Sequence, residues 1–195
     1  MDTVVEFPCP ICMVKGKLLM RAHTSEIPYF GEHTQVTLLC DDCGWRQTDF
    51  IPAEGSKAGG WTIPVDNEDV LSARVVRSSS CTICIPELDL EVNPGSSNAG
   101  YVTNIEGMII RFKDVVEMVL KDIDHQEKEM IEKCNYLLTR VAAPLNGNFE
   151  EAYSIELLDP RGHSQILHGD ALPRDLSDSE IERLPVGPDP AVFSQ

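Results

Sequence analysis

Residues 9–12, Cys-Pro-Ile-Cys, and residues 40–43, Cys-Asp-Asp-Cys, form two Cys-x-x-Cys pairs with 27 residues between them. Two residues between thiolates allow a tight turn to direct both sulfurs at one ion, and two such turns complete a closed tetrahedral shell. Gly44 follows the second pair and suits the left-handed backbone conformation that such a turn often needs, whereas the first pair lacks this glycine. The spacing predicts a zinc ribbon over residues 1–55 with one structural zinc ion. The predicted ligands are Cys9, Cys12, Cys40 and Cys43.

The chain contains seven cysteines, an odd number, and its first residues lack the basic and then apolar pattern of a signal peptide. We therefore expect reduced thiols or thiolate ligands rather than a disulfide framework. Cys81 and Cys84 are three residues apart in a predicted strand, where their side chains point to opposite faces. Small buried side chains are thus favoured over a second metal site. Cys134 lies on the apolar stripe of a predicted helix and is expected to be buried.

Short runs of apolar and β-branched residues predict strands on both sides of a polar, glycine-rich segment, residues 52–60. We predict that this segment is a linker or a mobile loop that separates the ribbon from a second domain, residues 56–195. Within the ribbon, Ile27-Pro28-Tyr29-Phe30-Gly31-Glu32 predicts a turn between two strands. The strands predicted for the second domain are residues 71–78, 81–85, 88–92, 153–158 and 165–168.

Two amphipathic helices interrupt these strands and predict a helical hairpin over residues 103–143. Thr103 and Glu106 have the spacing of a capping box at the start of the first helix. Apolar residues then follow at helical intervals as far as Ile123, Val115 and Val119 among them, and predict the first helix. A stripe that includes Met130 predicts the second helix.

The C-terminal segment is acidic and contains several prolines. A short helix is predicted over residues 177–184, and residues 185–195 are expected to be mobile. Periodicity alone therefore predicts a chain that is mainly β with a helical hairpin.

Several motifs recur in a recognisable combination over nearly the whole chain. They are the two cysteine pairs, Ile27-Pro28-Tyr29-Phe30-Gly31-Glu32, Cys43-Gly44-Trp45-Arg46, Leu71-Ser72 with Arg74-Val75-Val76-Arg77-Ser78, Ile85-Pro86-Glu87-Leu88 with Glu91, Thr103-Asn104-Ile105-Glu106-Gly107, and Asp159-Pro160-Arg161-Gly162 with Ser164. The combination resembles the ZPR-type zinc-finger proteins, and more closely their shorter, single-copy archaeal-type members. The resemblance implies an N-terminal zinc ribbon followed by a double-stranded β-helix, a jelly-roll-like domain, with an inserted α-hairpin.

The resemblance also implies a function. Eukaryotic members of this family carry two tandem zinc-plus-β units and act as chaperones or binding partners of translation elongation factor one-alpha, a GTPase. A protein-binding, non-enzymatic role linked to that GTPase is therefore implied for this chain, which has one such unit. The chain departs from the family pattern at Cys81 and Cys84, and at His163, where the family tends to have asparagine.

The candidate partner-binding residues are Ile27, Pro28, Tyr29 and Phe30. They place two aromatic rings and an aliphatic side chain at a turn, and rigid aromatic side chains of this kind dominate many protein interfaces. Packing of the two rings under the hairpin is the alternative interpretation.

The chain of 195 residues has 16 Lys and Arg against 32 Asp and Glu, which gives a formal net charge of −16. Nucleic-acid binding is driven largely by basic side chains that displace counterions from phosphates, and neither domain has an excess of them. We therefore predict no nucleic-acid binding at physiological salt. A nucleic-acid- or ribosome-associated zinc ribbon, with a local patch from Lys15, Lys17 and Arg21, stays an alternative.

No stretch of the sequence is long and apolar enough to span a membrane. Together with the missing signal-peptide pattern, this predicts a cytoplasmic protein that does not bind membranes.

A metal-dependent enzyme built on the second domain is the other alternative. His168-Gly169-Asp170 has the His-x-Asp form of a facial triad, whose third ligand is another histidine. No histidine follows residue 168, and His163 lies upstream, so polar residues at a turn or strand end are favoured. Motifs for a nucleophilic serine, a phosphate loop or a zinc protease are also missing. We therefore predict no enzymatic activity.

Overall fold

The protein consists of two β-rich units and a helical hairpin, and its fold is mainly β as the sequence predicted. The computed structural model describes residues 2–53, 57–95, 99–124 and 126–186. The centre of the predicted linker, residues 54–56, and most of the predicted mobile tail, from residue 187 onward, lie outside the described residues.

The first unit is a four-stranded antiparallel sheet in which strands adjacent in sequence are also paired. Its strands are β1 (Asp2–Val5), β2 (Leu18–Ile27), β3 (Gly31–Cys40) and β4 (Arg46–Pro52). The register sets Leu18 opposite Cys40, and these residues are buried with Leu38 and Trp45 in one small cluster. Because side chains alternate between the faces of a strand, one face of this sheet forms that core. The apolar core of the first unit therefore lies beside the cysteine pairs.

The described part of the second unit forms two further antiparallel sheets. Their strands are β5 (Gly59–Val65), β6 (Arg74–Arg77), β7 (Thr82–Ile85), β8 (Leu90–Val92), β9 (Tyr101–Asn104), β10 (Tyr153–Asp159), β11 (Gln165–Leu167) and β12 (Leu172–Asp175). One sheet has the order β12-β5-β10-β7-β8 and the other the order β11-β6-β9. Val75 and Ile166 of the smaller sheet share one buried cluster with Ile63 and Ile155 of the larger sheet. The main core therefore lies between two facing sheets, as in a jelly roll.

Four α-helices accompany the described strands: α1 (Glu68–Leu71), α2 (Ile105–Asp122), α3 (Lys128–Ala142) and α4 (Asp178–Arg183). Helices α2 and α3 form the predicted hairpin, and their apolar faces join the main core through residues such as Phe112 and Leu137. The predicted short C-terminal helix is confirmed as α4, which begins with a capping box between Ser177 and Glu180. None of the described helices combines the length and the apolar character needed to cross a bilayer.

The predicted start of the first long helix was wrong by one residue. Asn104, not Thr103, is the N-terminal cap, and its side-chain oxygen accepts the Gly107 N–H at 2.9 Å. Thr103 instead belongs to β9, where it pairs with Val75. Because β9 runs directly into α2, its last residue serves as the helix cap.

Some strand predictions were also wrong. Gly59 and Gly60 belong to β5 rather than to a linker, and Gly60 lies so close to β10 that a Cβ atom there would meet the Leu157 carbonyl oxygen at 3.0 Å. Leu71 ends the short helix α1, so the strand predicted from this residue begins only at Arg74. Short helical turns and glycine-rich strands are the features that a two-residue periodicity cannot detect.

Two buried aspartates bind the turn Ser78–Ser80, here called the serine turn. Asp49 of β4 accepts the Ser79 N–H at 2.8 Å and the Ser79 Oγ–H at 2.7 Å. Asp159, at the end of β10, accepts the Oγ–H groups of Ser78 and Ser80, each at 2.7 Å. Asp49 belongs to the first unit and Asp159 to the second, so the serine turn joins the two units through hydrogen bonds that water does not reach.

Candidate metal centre and neighbouring surfaces

The four cysteines predicted as ligands come together at one end of the first unit. Their sulfur atoms all lie within 4.8 Å of one another. The Cys9–Cys43 and Cys12–Cys40 sulfur pairs are each 3.7 Å apart. A tetrahedral shell with Zn–S bonds of about 2.3 Å places its sulfurs about 3.8 Å apart. The spacing therefore fits one four-coordinate zinc ion, and no second group of three or more potential ligands gathers in this way within the described residues.

The two cysteine pairs have the same local backbone geometry. The N–H of Met13 donates to the Cys9 carbonyl and the N–H of Gly44 donates to the Cys40 carbonyl, both at 2.9 Å. Met13, with φ 61°, and Gly44, with φ 75°, both take the left-handed conformation. A side chain in this conformation costs about 1 kcal/mol. The first pair thus forms the same turn without the glycine that sequence reasoning expected there.

The thiols resist joint ionisation when no cation is close. Burial raises the pKa of Cys9, but N–H groups of Cys12 and Ile11 outweigh it and lower that pKa to about 7. The N–H of Val14 lowers the pKa of Cys12, but desolvation and the neighbouring sulfurs outweigh it and raise that pKa to about 12. One thiolate therefore forms readily while a neighbour stays protonated. A bound dication removes this conflict, because it stabilises every thiolate in its shell.

The four cysteines are positioned to bind one zinc ion, and all four coordination positions come from the protein. A closed shell leaves no position for a water or a substrate, so the ion has a structural role. Cys9 and Cys40 are fully buried beside Leu18 and Trp45, whereas Cys43 is exposed. The metal therefore fixes both turns to the small apolar core.

The remaining cysteines are buried, as predicted. Cys81 belongs to the main core, whereas Cys84 packs with Leu158 and Leu184 in a separate cluster on the other side of the sheet. Burial raises the pKa of Cys81 and Cys84 to about 12, so both thiols stay protonated. Because the two thiols lie on opposite sides of the sheet, they cannot bind one metal ion together.

The turn between β2 and β3, residues 27–30, is here called the hairpin tip. The N–H of Phe30 donates to the Ile27 carbonyl at 2.9 Å and closes this turn. Tyr29 takes the left-handed conformation, with φ 73°, and the residue is 73% exposed. The Arg74 guanidinium of the second unit lies over its ring, 4.3 Å from the ring centre. Ile27 and Phe30 are half-buried and Pro28 is exposed.

Two clefts flank the hairpin tip where it meets the second unit. One, of about 750 Å³, is lined by Tyr29 and Phe30 on one side and by Trp61 and His163 on the other. The second, of about 420 Å³, lies between Ile27 and Val102. The tip therefore presents an aromatic ring at the junction of the two units rather than at an isolated loop.

The histidines of the enzyme hypothesis do not assemble into a ligand group within the described residues. His168 Nε2 lies 3.3 Å from Asp69 Oδ2, and His168 Nδ1 accepts the Asp170 N–H at 3.2 Å. His163 instead lines the larger cleft beside the hairpin tip. His168 thus has local hydrogen-bond partners that fit its predicted place at a strand end.

The helical hairpin exposes several of the apolar side chains whose spacing predicted its two helices. Val115, Val119 and Met130 belong to the apolar patterns of these helices and are exposed. Together with Ile110, Met118 and Tyr136 they leave large apolar side chains at the surface of α2 and α3. The sequence contained a signal for this exposure, because the apolar residues of these helices form a stripe wider than one helix face. Exposed apolar surface of this kind is typical of protein-interaction sites.

Comparisons with known proteins agree with this architecture. The family described as the ZPR1 jelly-roll domain matches residues 69–185. A ZPR1-like protein of Methanocaldococcus jannaschii is 35% identical over 187 residues, which cover 96% of this chain and 92% of that protein. A ZPR1-like protein of Pyrococcus horikoshii is 35% identical over 182 residues, covering 92% of this chain and 80% of that protein. The zinc finger chaperone zpr1 of Schizosaccharomyces pombe is 27% identical over 165 residues, covering 81% of this chain but 34% of that protein.

These matches confirm the jelly-roll-like domain and the family that the sequence motifs had indicated. The matched segment contains the whole smaller sheet and every strand of the larger sheet except β5. The alignment with the Methanocaldococcus jannaschii relative covers 96% of the chain and therefore also includes the cysteine pairs. With its four-cysteine zinc site followed by a jelly roll, this chain belongs to the ZPR1 family of zinc-finger proteins.

Proposed function

We propose that this chain is a zinc-stabilised protein-interaction factor that binds a translation elongation factor of the one-alpha GTPase type and acts on it as a chaperone. The name of the Schizosaccharomyces pombe relative, a zinc finger chaperone, supports the general role. The resemblance to eukaryotic family members that bind this GTPase supports the choice of partner. The chain spans 34% of that relative and has one zinc-plus-β unit, so we infer that a single unit retains the binding surface.

The observation that carries the proposal is the exposed aromatic ring at the hairpin tip. Tyr29 is held by a closed turn and by its contact with the Arg74 guanidinium, yet most of its surface faces solvent. A side chain that is ordered before binding loses little conformational entropy when a partner covers it. The half-buried Phe30 beside it extends the apolar surface.

The zinc ion has an indirect part in this function. The four-thiolate shell has no open position, so we propose that it supports the hairpin rather than any reaction. The absence of enzymatic activity stays a prediction of this proposal.

Replacing Tyr29 and Phe30 together with alanine is expected to weaken binding of the elongation factor by about thirtyfold or more, because the loss of even one central aromatic anchor costs about 2 kcal/mol or more. The zinc content should not change, since neither residue contacts a ligand cysteine. The measurement is a titration of purified elongation factor one-alpha against the zinc-loaded variant, with metal analysis of the same sample.

Tyr136→Ala is the matched comparison, because Tyr136 is an exposed aromatic residue on α3, away from the hairpin tip. Its binding should equal that of the wild type. Undiminished binding by the double variant, together with reduced binding by Tyr136→Ala, would move the interface to the helical hairpin and contradict the proposed surface.

One observation favours the nucleic-acid alternative. Leu19, Leu39 and Arg46 are paired across three strands, and Arg21 lies two residues from Leu19, so both arginines lie on the same face of the ribbon sheet. Two arginines neutralise few phosphates in a chain of net charge −16. We therefore propose that this face does not give useful nucleic-acid affinity at physiological salt.

Filter-binding titrations with single-stranded RNA and duplex DNA near physiological salt are expected to show no sub-micromolar binding. The physical reason is that the favourable counterion release scales with the number of phosphates that the protein neutralises. For duplex DNA, the logarithm of the binding constant falls with the logarithm of the salt concentration by about 0.9 for each such phosphate. Tight binding that falls steeply with salt and is lost in Arg21→Ala/Arg46→Ala would reverse this conclusion.

A further inference from the structure

The jelly-roll unit contains a cavity of about 300 Å³ that is lined by residues of both sheets and of helix α2. Its floor is apolar, because Ile83, Met108 and Phe112 of the main core line it. Two arginines line the same space, the buried Arg77 and the exposed Arg111. An apolar cavity with a few charged groups on one side is the usual composition of a small-ligand site.

The two arginines converge on one aromatic ring. The Arg111 guanidinium lies 4.2 Å from the centre of the Tyr101 ring, and the Arg77 guanidinium lies 5.5 Å from it. Arg77 is almost completely buried, and its Nη2 donates to the Cys81 carbonyl at 2.6 Å. This hydrogen bond holds the Arg77 guanidinium in place. Burial raises the pKa of Tyr101, so its hydroxyl stays neutral and remains a hydrogen-bond donor at neutral pH.

Arg111 differs from several other basic residues of this acidic chain. Lys113, Arg140 and Arg174 each have a carboxylate partner at 2.9 Å. Arg111 forms no hydrogen bond or ion pair with any residue that the structure describes, and its close contact is the face of the Tyr101 ring. Stacking on an aromatic ring orients a guanidinium while its N–H edge stays available to a carboxylate. Asp114 also lines the cavity, but it lies on the exposed side of the helix and makes no ion pair with Arg111.

From this arrangement we propose that this cavity, between α2 and the two sheets, binds a small aliphatic molecule or chain end that carries a carboxylate. Arg111 supplies the paired N–H donors for the carboxylate, Arg77 adds positive charge, and the floor around Met108 receives the aliphatic part. The site is distinct from the zinc centre and from the hairpin tip, so it does not rest on the proposed function.

The size of the cavity restricts the ligand. A volume of about 300 Å³ is at the lower end for ligand sites and accommodates about one amino-acid side chain with its carboxylate. Two sources offer this chemistry, the C-terminal residue of a protein and a free short-chain carboxylic acid. The first presents an amide group next to the carboxylate-bearing carbon, and the second does not.

The test uses full-length, zinc-loaded protein with ¹³C-labelled methionine methyl groups. The probes are N-acetyl-leucine, which represents a C-terminal residue, 4-methylpentanoate, which represents the free acid, and N-acetyl-leucinamide, which lacks the negative charge. Both acids are expected to shift the Met108 signal in a saturable manner, and the amide should bind about tenfold more weakly or not at all. Met118 and Met130 are exposed on the helical hairpin and are internal controls that should not shift.

Arg111→Gln should weaken binding of the acids by about tenfold or more, because the bidentate charged contact is lost. Lys113→Gln, on the same helix but paired with Glu117 outside the cavity, should bind as the wild type. Arg111 is exposed, so its replacement is expected to leave the fold intact, which an unchanged spectrum of the other methionines would verify. Tighter binding of N-acetyl-leucine than of 4-methylpentanoate supports the protein C-terminus as the source, and the opposite order supports a free acid. Equal binding of acid and amide, unchanged binding by Arg111→Gln, or no saturable shift at Met108 would each refute the site.

Discussion

Replacing Cys40 with serine is expected to abolish zinc binding and to unfold the first unit. Cys40 is fully buried, supplies one of the four sulfurs and ends β3. The apolar cluster around it contains few residues, Leu18, Leu38 and Trp45 among them. A structural zinc ion contributes on the order of 10 kcal/mol of apparent folding free energy. That contribution is comparable to the whole stability of a typical domain. The small apolar core of the first unit therefore cannot replace it.

Two measurements follow the loss of zinc and the unfolding of the first unit in Cys40→Ser. Metal analysis should find no bound zinc in the purified variant. Fluorescence of Trp45, which is buried beside the cysteines, should shift to that of a solvent-exposed indole when a Trp61→Phe background removes the other tryptophan.

Cys134→Ser is the matched control, since it makes the same atomic change at a buried cysteine outside the metal centre. It should retain one zinc ion and a buried Trp45. A Cys40→Ser protein that keeps its zinc and its native fluorescence would show that the ribbon does not depend on the four-thiolate site.

Asp159→Asn is expected to lower the free energy of unfolding by about 3–5 kcal/mol, because it breaks a buried hydrogen-bond network around a charge. The Asp159 carboxylate accepts the hydroxyls of Ser78, Ser80 and Ser164 and the N–H of Arg161, at 2.6 to 3.0 Å. The amide of asparagine turns two acceptor positions into donors that face these donors. Urea unfolding followed by circular dichroism should show a midpoint lower by about 1–3 M.

The pH dependence provides a second readout for Asp159. Burial raises its pKa, but the hydrogen bonds from Ser164, Ser78 and Ser80 outweigh burial and hold the pKa below its ordinary value. A carboxylate whose folded pKa is depressed stabilises the protein above its unfolded pKa, about 3.9, and loses this contribution as pH falls through the folded value. The stability difference between wild type and Asp159→Asn should therefore be largest at neutral pH and shrink below about pH 4.

The exposed Asp175 provides the comparison for this charge change, and Asp175→Asn should alter stability by less than about 0.5 kcal/mol. A difference between wild type and Asp159→Asn that does not vary with pH would mean that the carboxylate charge contributes nothing to the network.

The metal ligands were predictable from the sequence because their geometry is local. Two intervening residues fix the separation of the sulfurs in each pair, and the same turn forms whether Gly44 or Met13 follows the second cysteine. The helical hairpin was predictable for a similar reason, since contacts within a helix join residues three and four apart. The exposed Val115 and Val119 mark the limit of this reasoning, because periodicity predicts a helix but does not reveal how wide a face of it the rest of the protein covers.

Strands with unfavourable composition needed partners that are distant in sequence. Gly59 and Gly60 belong to β5 because Asp159 and Leu158 of β10 pair with them. Pro64 is tolerated in the same strand because β12 pairs with β5 only as far as Thr62, so no hydrogen bond is needed on that side of Pro64. Pairing with a neighbouring strand outweighs the intrinsic preference of such residues for turns.

The sequence by itself determined the four zinc ligands, the mainly β character with its helical hairpin, and, through its motifs, the family. Tertiary structure alone decided which residues meet across long separations: Asp49 with Ser79 between the two units, Tyr29 with Arg74 at the hairpin tip, and Arg111 with Tyr101 at the cavity. Local spacing fixes a metal knuckle or a helix turn because few backbone angles separate its atoms. A contact between distant residues depends on the packing of every element between them, so it becomes visible only when the sheets have closed around their common core.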